Sequence, residues 1–408
     1  MTVVLQKSSI AKQKSSIIIT GSKSESNRLL LLQALFPKIK IKNLSNSDDT
    51  KVMQYALNTS EGCIDIHHAG TAMRFLTAYF ATQKDRSVIL TGSTRMKERP
   101  IKILVDALNT LGAEISYIET KDCPPLAIKG QRLIKDEVTL SANVSSQYIS
   151  ALLLIAPKLK NGLQLTLEGN ITSRSYINMT LDLLNQIGVK TEFRDKVITV
   201  FPKASINSSQ TIVVESDWSS ASYFYSIVAL SPIGTQISLS SYKKDSLQGD
   251  SALVDIYKDF GVETRFQDNA IILVKTKADL NPKTYNLNNS PDIAQTIAVT
   301  CLAQDIECHL TGLHTLKIKE TDRLAALKNE IEKLGGQASI TEDSLHLKAA
   351  KTLNENVSID TYNDHRMAMA FAPLALKIPI QINDADVVSK SFPSFWEDLK
   401  TLGFKFSE

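Results

Sequence analysis

Leu104-Val-Asp-Ala-Leu-Asn-Thr-Leu-Gly112, followed by Ala113-Glu-Ile-Ser-Tyr-Ile, reads as an amphipathic helix that closes on glycine and gives way to an alternating strand. Glycine takes the left-handed conformation that ends a helix without a steric penalty, so it marks the stop. The phrase returns. Leu181-Asp-Leu-Leu-Asn-Gln-Ile-Gly188 leads into Val189-Lys-Thr-Glu-Phe, and further copies stand at Ile256-Tyr-Lys-Asp-Phe-Gly261, Ile331-Glu-Lys-Leu-Gly335 and Leu399-Lys-Thr-Leu-Gly403. Successive glycines lie 76, 73, 74 and 68 positions apart. Such even spacing points to one supersecondary unit reused along the chain, too long for a solenoid repeat and suited to a βαβ-type module with an added hairpin. An earlier, degenerate copy is expected near Glu61-Gly62 after a helix over Asp49 to Asn58, giving six units of roughly 70 residues.

A chain of 408 residues exceeds what one hydrophobic core usually serves, so two domains are expected. The 43% apolar and 22% charged content is that of an ordinary globular protein. A net charge of +3 lacks the excess of Lys and Arg that nucleic acid or an anionic membrane demands. Cys63, Cys123, Cys301 and Cys308 show no paired-ligand spacing, which argues against zinc and a disulfide framework; buried thiols are expected. Met1 to Lys14 has no secretory apolar core, and runs such as Ile149 to Ala156 fall short of a membrane span, so the expectation is a cytoplasmic protein. The crossing between domains is expected in Lys203 to Gln210, up to Ser216, and at the entry into Ser22.

Several polar, basic turns open helices. Gly21-Ser-Lys-Ser-Glu-Ser-Asn-Arg28 stands between the β-branched run Ile17 to Thr20, which reads as a strand, and the apolar run from Leu29; its serine hydroxyls, unpaired helix N–H groups and two cations suit an anion, and on the plainer reading they only cap a helix. His68-Ala-Gly70-Thr-Ala-Met-Arg74 lets backbone approach a ligand closely, and Arg95-Met-Lys-Glu-Arg99-Pro100 carries three cations, which on the plainer reading pair with Glu98. Ser145-Ser146-Gln147 and Ser173-Arg174-Ser175-Tyr176 open two more helices, over Tyr148 to Ala156 and Ile177 to Leu184. In the second half, Glu215-Ser-Asp217-Trp-Ser-Ser-Ala221 caps a helix, and Ser290-Pro-Asp292 opens one over Ile293 to Ala303. Lys317-Ile-Lys319-Glu320-Thr-Asp322-Arg323 is the densest ionic cluster, with Lys319 and Arg323 at helical i, i+4 spacing. Tyr362-Asn-Asp-His-Arg366 and Lys390-Ser-Phe-Pro393 follow. Gathered together, these turns suit small polyanions; with no Walker lysine loop, Mg²⁺-dependent nucleotide chemistry is disfavoured.

The strings Gly21 to Arg28, Ala69 to Arg74, Arg95 to Pro100, Ser145 to Gln147, Lys319 to Arg323 and Tyr362 to Met369 resemble the 5-enolpyruvylshikimate-3-phosphate synthases, in the family's order and over nearly the whole chain. The resemblance implies transfer of the enolpyruvyl group of phosphoenolpyruvate to the 5-hydroxyl of shikimate 3-phosphate with release of phosphate, by addition and elimination, on the route to chorismate. It implies an α/β fold of two domains, an inside-out α/β barrel of six βαβαββ units, three per domain. Residues 20–215 would form the first domain, on the shikimate 3-phosphate side, and 1–19 with 216–408 the second, with helix N-termini facing the cleft between them.

By matching position, Lys23, Ser24, Arg28, Ser145, Ser146, Ser173, Asp292, Thr315 and Lys319 would hold shikimate 3-phosphate. Lys23, Gly70, Arg95, Gln147, Arg323, Arg366 and Lys390 would hold phosphoenolpyruvate, planar guanidinium groups suiting its carboxylate. Asp292 would accept the hydroxyl proton, Glu320 would protonate the methylene and later remove a proton, and Lys23 would help phosphate leave. No cofactor or metal is called for, and a monomer is expected. The chain has His67-His68 where the family usually has Gly-Asn, Phe75 where it has Pro, and Thr315 where it has Asn. Glu25 is expected to point outward. The competing readings are the sister transferase acting on UDP-N-acetylglucosamine, whose reactive Cys has no counterpart between Arg95 and Arg99, and a non-catalytic polyanion-binding repeat protein, which would have no use for Asp292 and Glu320.

Overall fold

A computed structural model describes residues 1–59, 62–142, 145–169, 171 and 174–407. Two compact units divide the chain, one of Gly21–Val214 and one of Met1–Thr20 with Glu215–Glu408. The glycine-terminated helices punctuate both. Lys102–Leu111 ends at Gly112 with φ 107°, and Phe395–Leu402 ends at Gly403 with φ 102°. A Cβ on Gly403 would lie 2.7 Å from that of Ala11, so conformation and space both exclude a side chain there.

Past Gly112, the strand Glu114–Tyr117 pairs antiparallel with Leu126–Lys129, which pairs antiparallel with Ser87–Thr91. Ser87–Thr91 in turn pairs parallel with Gly62–Asp65, and the helix Gly70–Ala81 makes that crossover. The same order, a parallel pair followed by a hairpin, recurs in four more sheets. In one of them the hairpin is completed by the chain's first strand, Val3–Leu5, set between Ile380–Ile382 and Phe406–Ser407. The remaining sheet has only the parallel pair Ile39–Lys42 and Gln210–Val213. The degenerate copy expected near Gly62 therefore differs in kind: Gly62 opens a strand of a parallel pair, and Glu61 lies outside the described residues.

Three helices in each unit are buried on most or all sides. In Gly21–Val214 they are Lys23–Leu35, Gly70–Ala81 and Ser146–Ile155; in the other unit they are Trp218–Leu230, Ala294–Ala303 and His365–Phe371. Within each unit the three pack against one another. A helix apolar all round has no face to give to water, which places these at the centre of their unit and leaves amphipathic helices such as Lys102–Leu111 at the periphery.

Local boundaries shift where a cap or pairing overrides propensity. The strand expected at Ile17 to Thr20 is Lys14–Ile17, set by its parallel partner Gln236–Ser240. Pro100 precedes the helix by two residues, Ser146 rather than Tyr148 opens the next, and Arg174–Gln186 extends beyond the expected 177–184. Cys63 is exposed and Cys123 half-buried; only Cys301 and Cys308 are buried thiols. Among the described residues no helix is long and apolar enough to cross a membrane.

Candidate active site

In the Gly21–Val214 unit the N-termini of the three buried helices meet. Gln147, the second residue of its helix, donates through Nε2 to Oγ1 of Thr71, the second residue of its own, at 3.1 Å. Arg28, one turn into the third helix and 2% exposed, reaches across the others. Its Nε donates to Thr180 Oγ1 (2.8 Å), NH1 to the Ser24 carbonyl (2.8 Å), and NH2 to Ser150 Oγ (2.9 Å) and the Tyr176 carbonyl (3.4 Å). Phe75 lies under the guanidinium at 5.3 Å and Tyr176 at 5.7 Å, so the residue standing where the family usually has Pro supplies an aromatic face. Burial lowers the Arg28 pKa to about 10, and the neighbouring Tyr176 and Glu25 pull it back only in part.

Around Arg28 the other expected residues divide into those gathered at the helix starts and those that are not. Lys23 pairs with Asp49 at 3.1 Å. Ser24 is half-buried, Ser146 is buried, and Ser145 caps its helix by accepting from the Gln147 N–H. Gly70 is where two guanidinium groups cross a helix start: a Cβ there would lie 2.7 Å from Arg99 NH1 and 3.2 Å from Arg74 NH1. Arg95 is exposed and ion-paired to Glu98 at 3.0 Å, as on the plainer reading. Ser173 lies outside the described residues. Two local expectations fail. Glu25 is buried, 4% exposed, not outward, and Ser22 makes no side-chain cap bond while Ser26 accepts from the Ser45 N–H. A helix buried on most sides leaves no outward face for Glu25.

The other unit repeats the convergence with acids added. Arg366, at the start of His365–Phe371, bonds Asp292 twice, NH2 to Oδ2 at 3.1 Å and NH1 to the backbone carbonyl at 3.2 Å, and donates to Ser219 Oγ at the start of Trp218–Leu230 at 3.3 Å. Asp292 lies in the 3₁₀ turn Pro291–Ile293 that leads into Ala294–Ala303, so the helix begins one residue after the expected Ile293. Arg323, also 2% exposed, donates to three carboxylates: Asp292 Oδ1 (2.8 Å), Glu320 Oε2 (2.8 Å) and Asp364 Oδ2 (2.5 Å). Lys319 does not share a helix face with Arg323, since the helix begins at Arg323; the two meet on Asp292 Oδ1, with Lys319 Nζ at 3.7 Å. Lys390 Nζ donates to the Asn363 carbonyl at 2.7 Å, and the buried Thr315 hydroxyl has no hydrogen-bond partner among the described residues.

Charge balance sets the protonation states. Burial would raise the Asp292 pKa, but Arg366, Lys319 and Arg323 together hold it well below the usual carboxylate range. Burial lowers the Lys319 pKa despite the pull of Asp292. For Arg323 burial works against the charge, yet Asp364, Glu320 and Asp292 raise its pKa above the ordinary guanidinium value. The sequence reading assigned no part to Asp364, which accepts from Arg323 and from the Arg366 N–H, or to Asp49, Thr180 and Ser150. The available signal was Asp364 just ahead of the helix His365–Phe371, an N-cap position; Asp49, Thr180 and Ser150 are residues within helices whose sequence does not say which distant group they meet.

Helix N-termini, cations and the carboxyl groups of Asp292 and Glu320 in this arrangement define a protein that takes small, multiply charged anions and can move protons on them. A family model described as "EPSP synthase (3-phosphoshikimate 1-carboxyvinyltransferase)" matches residues 54–399. A 3-phosphoshikimate 1-carboxyvinyltransferase of Bacteroides fragilis is 46% identical over 396 residues, covering 96% of each chain. One of Colwellia psychrerythraea is 36% identical over 419 residues, covering 96% of this chain and 97% of its own. In fold, the chain is similar to the EPSP synthase of Acinetobacter baumannii (TM-score 0.79, 20% identity, covering 100% of this chain and 99% of that one). It is also similar to the enolpyruvyl transferase NikO of Streptomyces tendae (TM-score 0.76, 13% identity, covering 100% and 98%). The chain belongs to the EPSP synthase family.

Proposed function

We propose that the protein transfers the enolpyruvyl group of phosphoenolpyruvate to the 5-hydroxyl of shikimate 3-phosphate, releasing phosphate, as a step in aromatic amino acid biosynthesis. The observation that carries the site assignment is the meeting of buried helix N-termini in each unit, with Asp292 and Glu320 fixed on one buried guanidinium, Arg323. The cations suit substrates that bring a carboxylate and phosphate each. A carboxylate pair held by Arg323 suits a reaction that takes a proton from a hydroxyl and moves another on and off a methylene.

In this reading Lys23, Ser24, Arg28, Ser145, Ser146, Ser173, Thr315 and Lys319 serve shikimate 3-phosphate, and Gly70, Arg95, Gln147, Arg323, Arg366 and Lys390, with Lys23, serve phosphoenolpyruvate. Asp292, kept ionised by its three cations, takes the hydroxyl proton as the oxygen attacks; Glu320 protonates the methylene, giving a tetrahedral adduct, and then withdraws a proton as phosphate leaves. Lys23 assists the departing phosphate. The fold is read as the family's inside-out α/β barrel of six βαβαββ units, three in each of the domains 20–215 and 1–19 with 216–408. Five sheets of one strand order and a sixth that keeps its parallel pair support this. The protein is further read as a cytoplasmic monomer that works without nucleic acid, cofactor or metal.

The test is phosphate release. Shikimate 3-phosphate with phosphoenolpyruvate should support turnover and UDP-N-acetylglucosamine should not; turnover on the latter alone would overturn the choice of acceptor.

A further inference from the structure

Asp250 sits in the 3₁₀ turn Gly249–Ala252, is 4% exposed, and belongs to no motif that the sequence reading used. Its Oδ2 accepts the hydroxyl proton of Ser219. The Ser219 oxygen in turn accepts from Arg366 NH2 at 3.3 Å, and the same NH2 reaches Asp292 Oδ2 at 3.1 Å. The turn is anchored by Gln248, which accepts from the Trp218 N–H at 3.0 Å and donates to the Ser216 carbonyl at 2.9 Å, fixing Asp250 beside the start of helix Trp218–Leu230.

A hydroxyl has one proton and can point it either way. With that proton committed to Asp250, Ser219 can offer Arg366 only lone pairs. Remove the carboxylate and the proton is free to turn toward the guanidinium, where it repels the N–H it previously accepted. Arg366 would then keep its contacts to Asp292 and lose the one that Ser219 supplies. Burial and the neighbouring Asp292 charge push the Asp250 pKa up to about 7, while Arg366 and the Ser219 hydrogen bond pull it back, as expected for a carboxyl retained in a dry site by these contacts.

We infer that Asp250 is a positioning residue that acts through Ser219 to orient the Arg366 guanidinium for the carboxylate of phosphoenolpyruvate. The inference rests on the reading that Arg366 binds that substrate.

Steady-state phosphate release by the full chain tests it, with each substrate varied in turn. Asp250→Ala and Ser219→Ala should each raise KM for phosphoenolpyruvate roughly tenfold, the size expected for a lost hydrogen bond to a charged group, with KM for shikimate 3-phosphate within about twofold of the parent. Asp250→Asn, whose carbonyl oxygen can still accept, should fall between the parent and Asp250→Ala, and it decides the matter if Asp250→Ala does not fold. The double variant should be no worse than Ser219→Ala, because one path has been cut twice. Multiplied effects in the double variant, or an unchanged KM for phosphoenolpyruvate in a folded Asp250→Ala, overturn the relay. A parent without turnover, or an Arg366→Lys variant with unaltered KM for phosphoenolpyruvate, instead overturns the reading on which it rests.

Discussion

Arg28 and Arg323 are equally buried and each commits four of its five N–H groups, yet they are solvated in opposite ways. Arg28 donates to two hydroxyls and two carbonyls and stacks near two aromatic rings. Arg323 donates to three carboxylates. In a medium of low polarity the first arrangement leaves a positive charge without a directly bonded carboxylate, offset only by the nearby Glu25, and the second cancels it more than once. One region thus leaves its cation among neutral acceptors, and the other sets its cation among acids. On the proposed reading the first suits an anionic substrate, which needs a cation to bind to, and the second suits proton transfer, which needs carboxyl groups that do not wander.

The largest effect should come from the acid-bearing region. Glu320→Gln keeps shape and hydrogen-bond reach but cannot cycle a proton, so turnover should fall roughly 10²–10⁴-fold with substrate affinity kept; near-normal turnover would remove Glu320 from the acid–base role. Next in size is stability. Asp364→Ala leaves Arg323 short of a fully buried partner and should cost about 3–5 kcal/mol in urea unfolding. Arg28→Met deletes a buried charge with no carboxylate in its hydrogen-bond shell and should change stability by no more than about 1–2 kcal/mol, while affinity for shikimate 3-phosphate drops. Equal stability losses in the two variants would erase the contrast.

A smaller effect should appear in acid. Asp292 has a folded-state pKa below its unfolded value, so its contribution is present above about pH 4 and is lost as pH falls through the folded-state pKa. Unfolding measured from pH 7 downward should therefore show a shallower acid limb in Asp292→Asn than in the parent, and parallel limbs would contradict the assigned direction. The smallest change is expected for Thr180→Val, which removes one neutral acceptor from Arg28 and should cost about 1 kcal/mol.

Much of the fold could be read in advance because its signals are local. Gly112, Gly188, Gly261, Gly335 and Gly403 all have positive φ; four of them stand within two residues of a helix end, whereas the helix before Gly261 is only Leu253–Ile256 and a turn leads from it to the glycine. Each precedes an outer hairpin strand, and their spacing carried the period. Gly62 shares the positive φ but begins a strand of a parallel pair, and nothing in its neighbourhood distinguishes the two uses. The site was legible as a set of basic helix starts, and Lys23, Ser145, Gln147, Asp292, Glu320 and Arg366 do stand at or next to such turns. Their partners were not. Asp49, Thr180, Ser150, Asp364 and Asp250 lie 26 to 152 positions from the residues they hold or act on, except that Asp364 also caps Arg366 two positions away.

The sequence by itself determined the repeated module, the helix starts that carry charge and the family, because backbone conformation at a stop or a cap is settled by a few adjacent residues. Only the tertiary structure decided that Glu25 turns inward and that one buried guanidinium faces neutral oxygens while the other faces acids. Ionisation and orientation depend on how much water is excluded and on which groups arrive from distant strands and helices, and neither quantity is defined until the chain has packed.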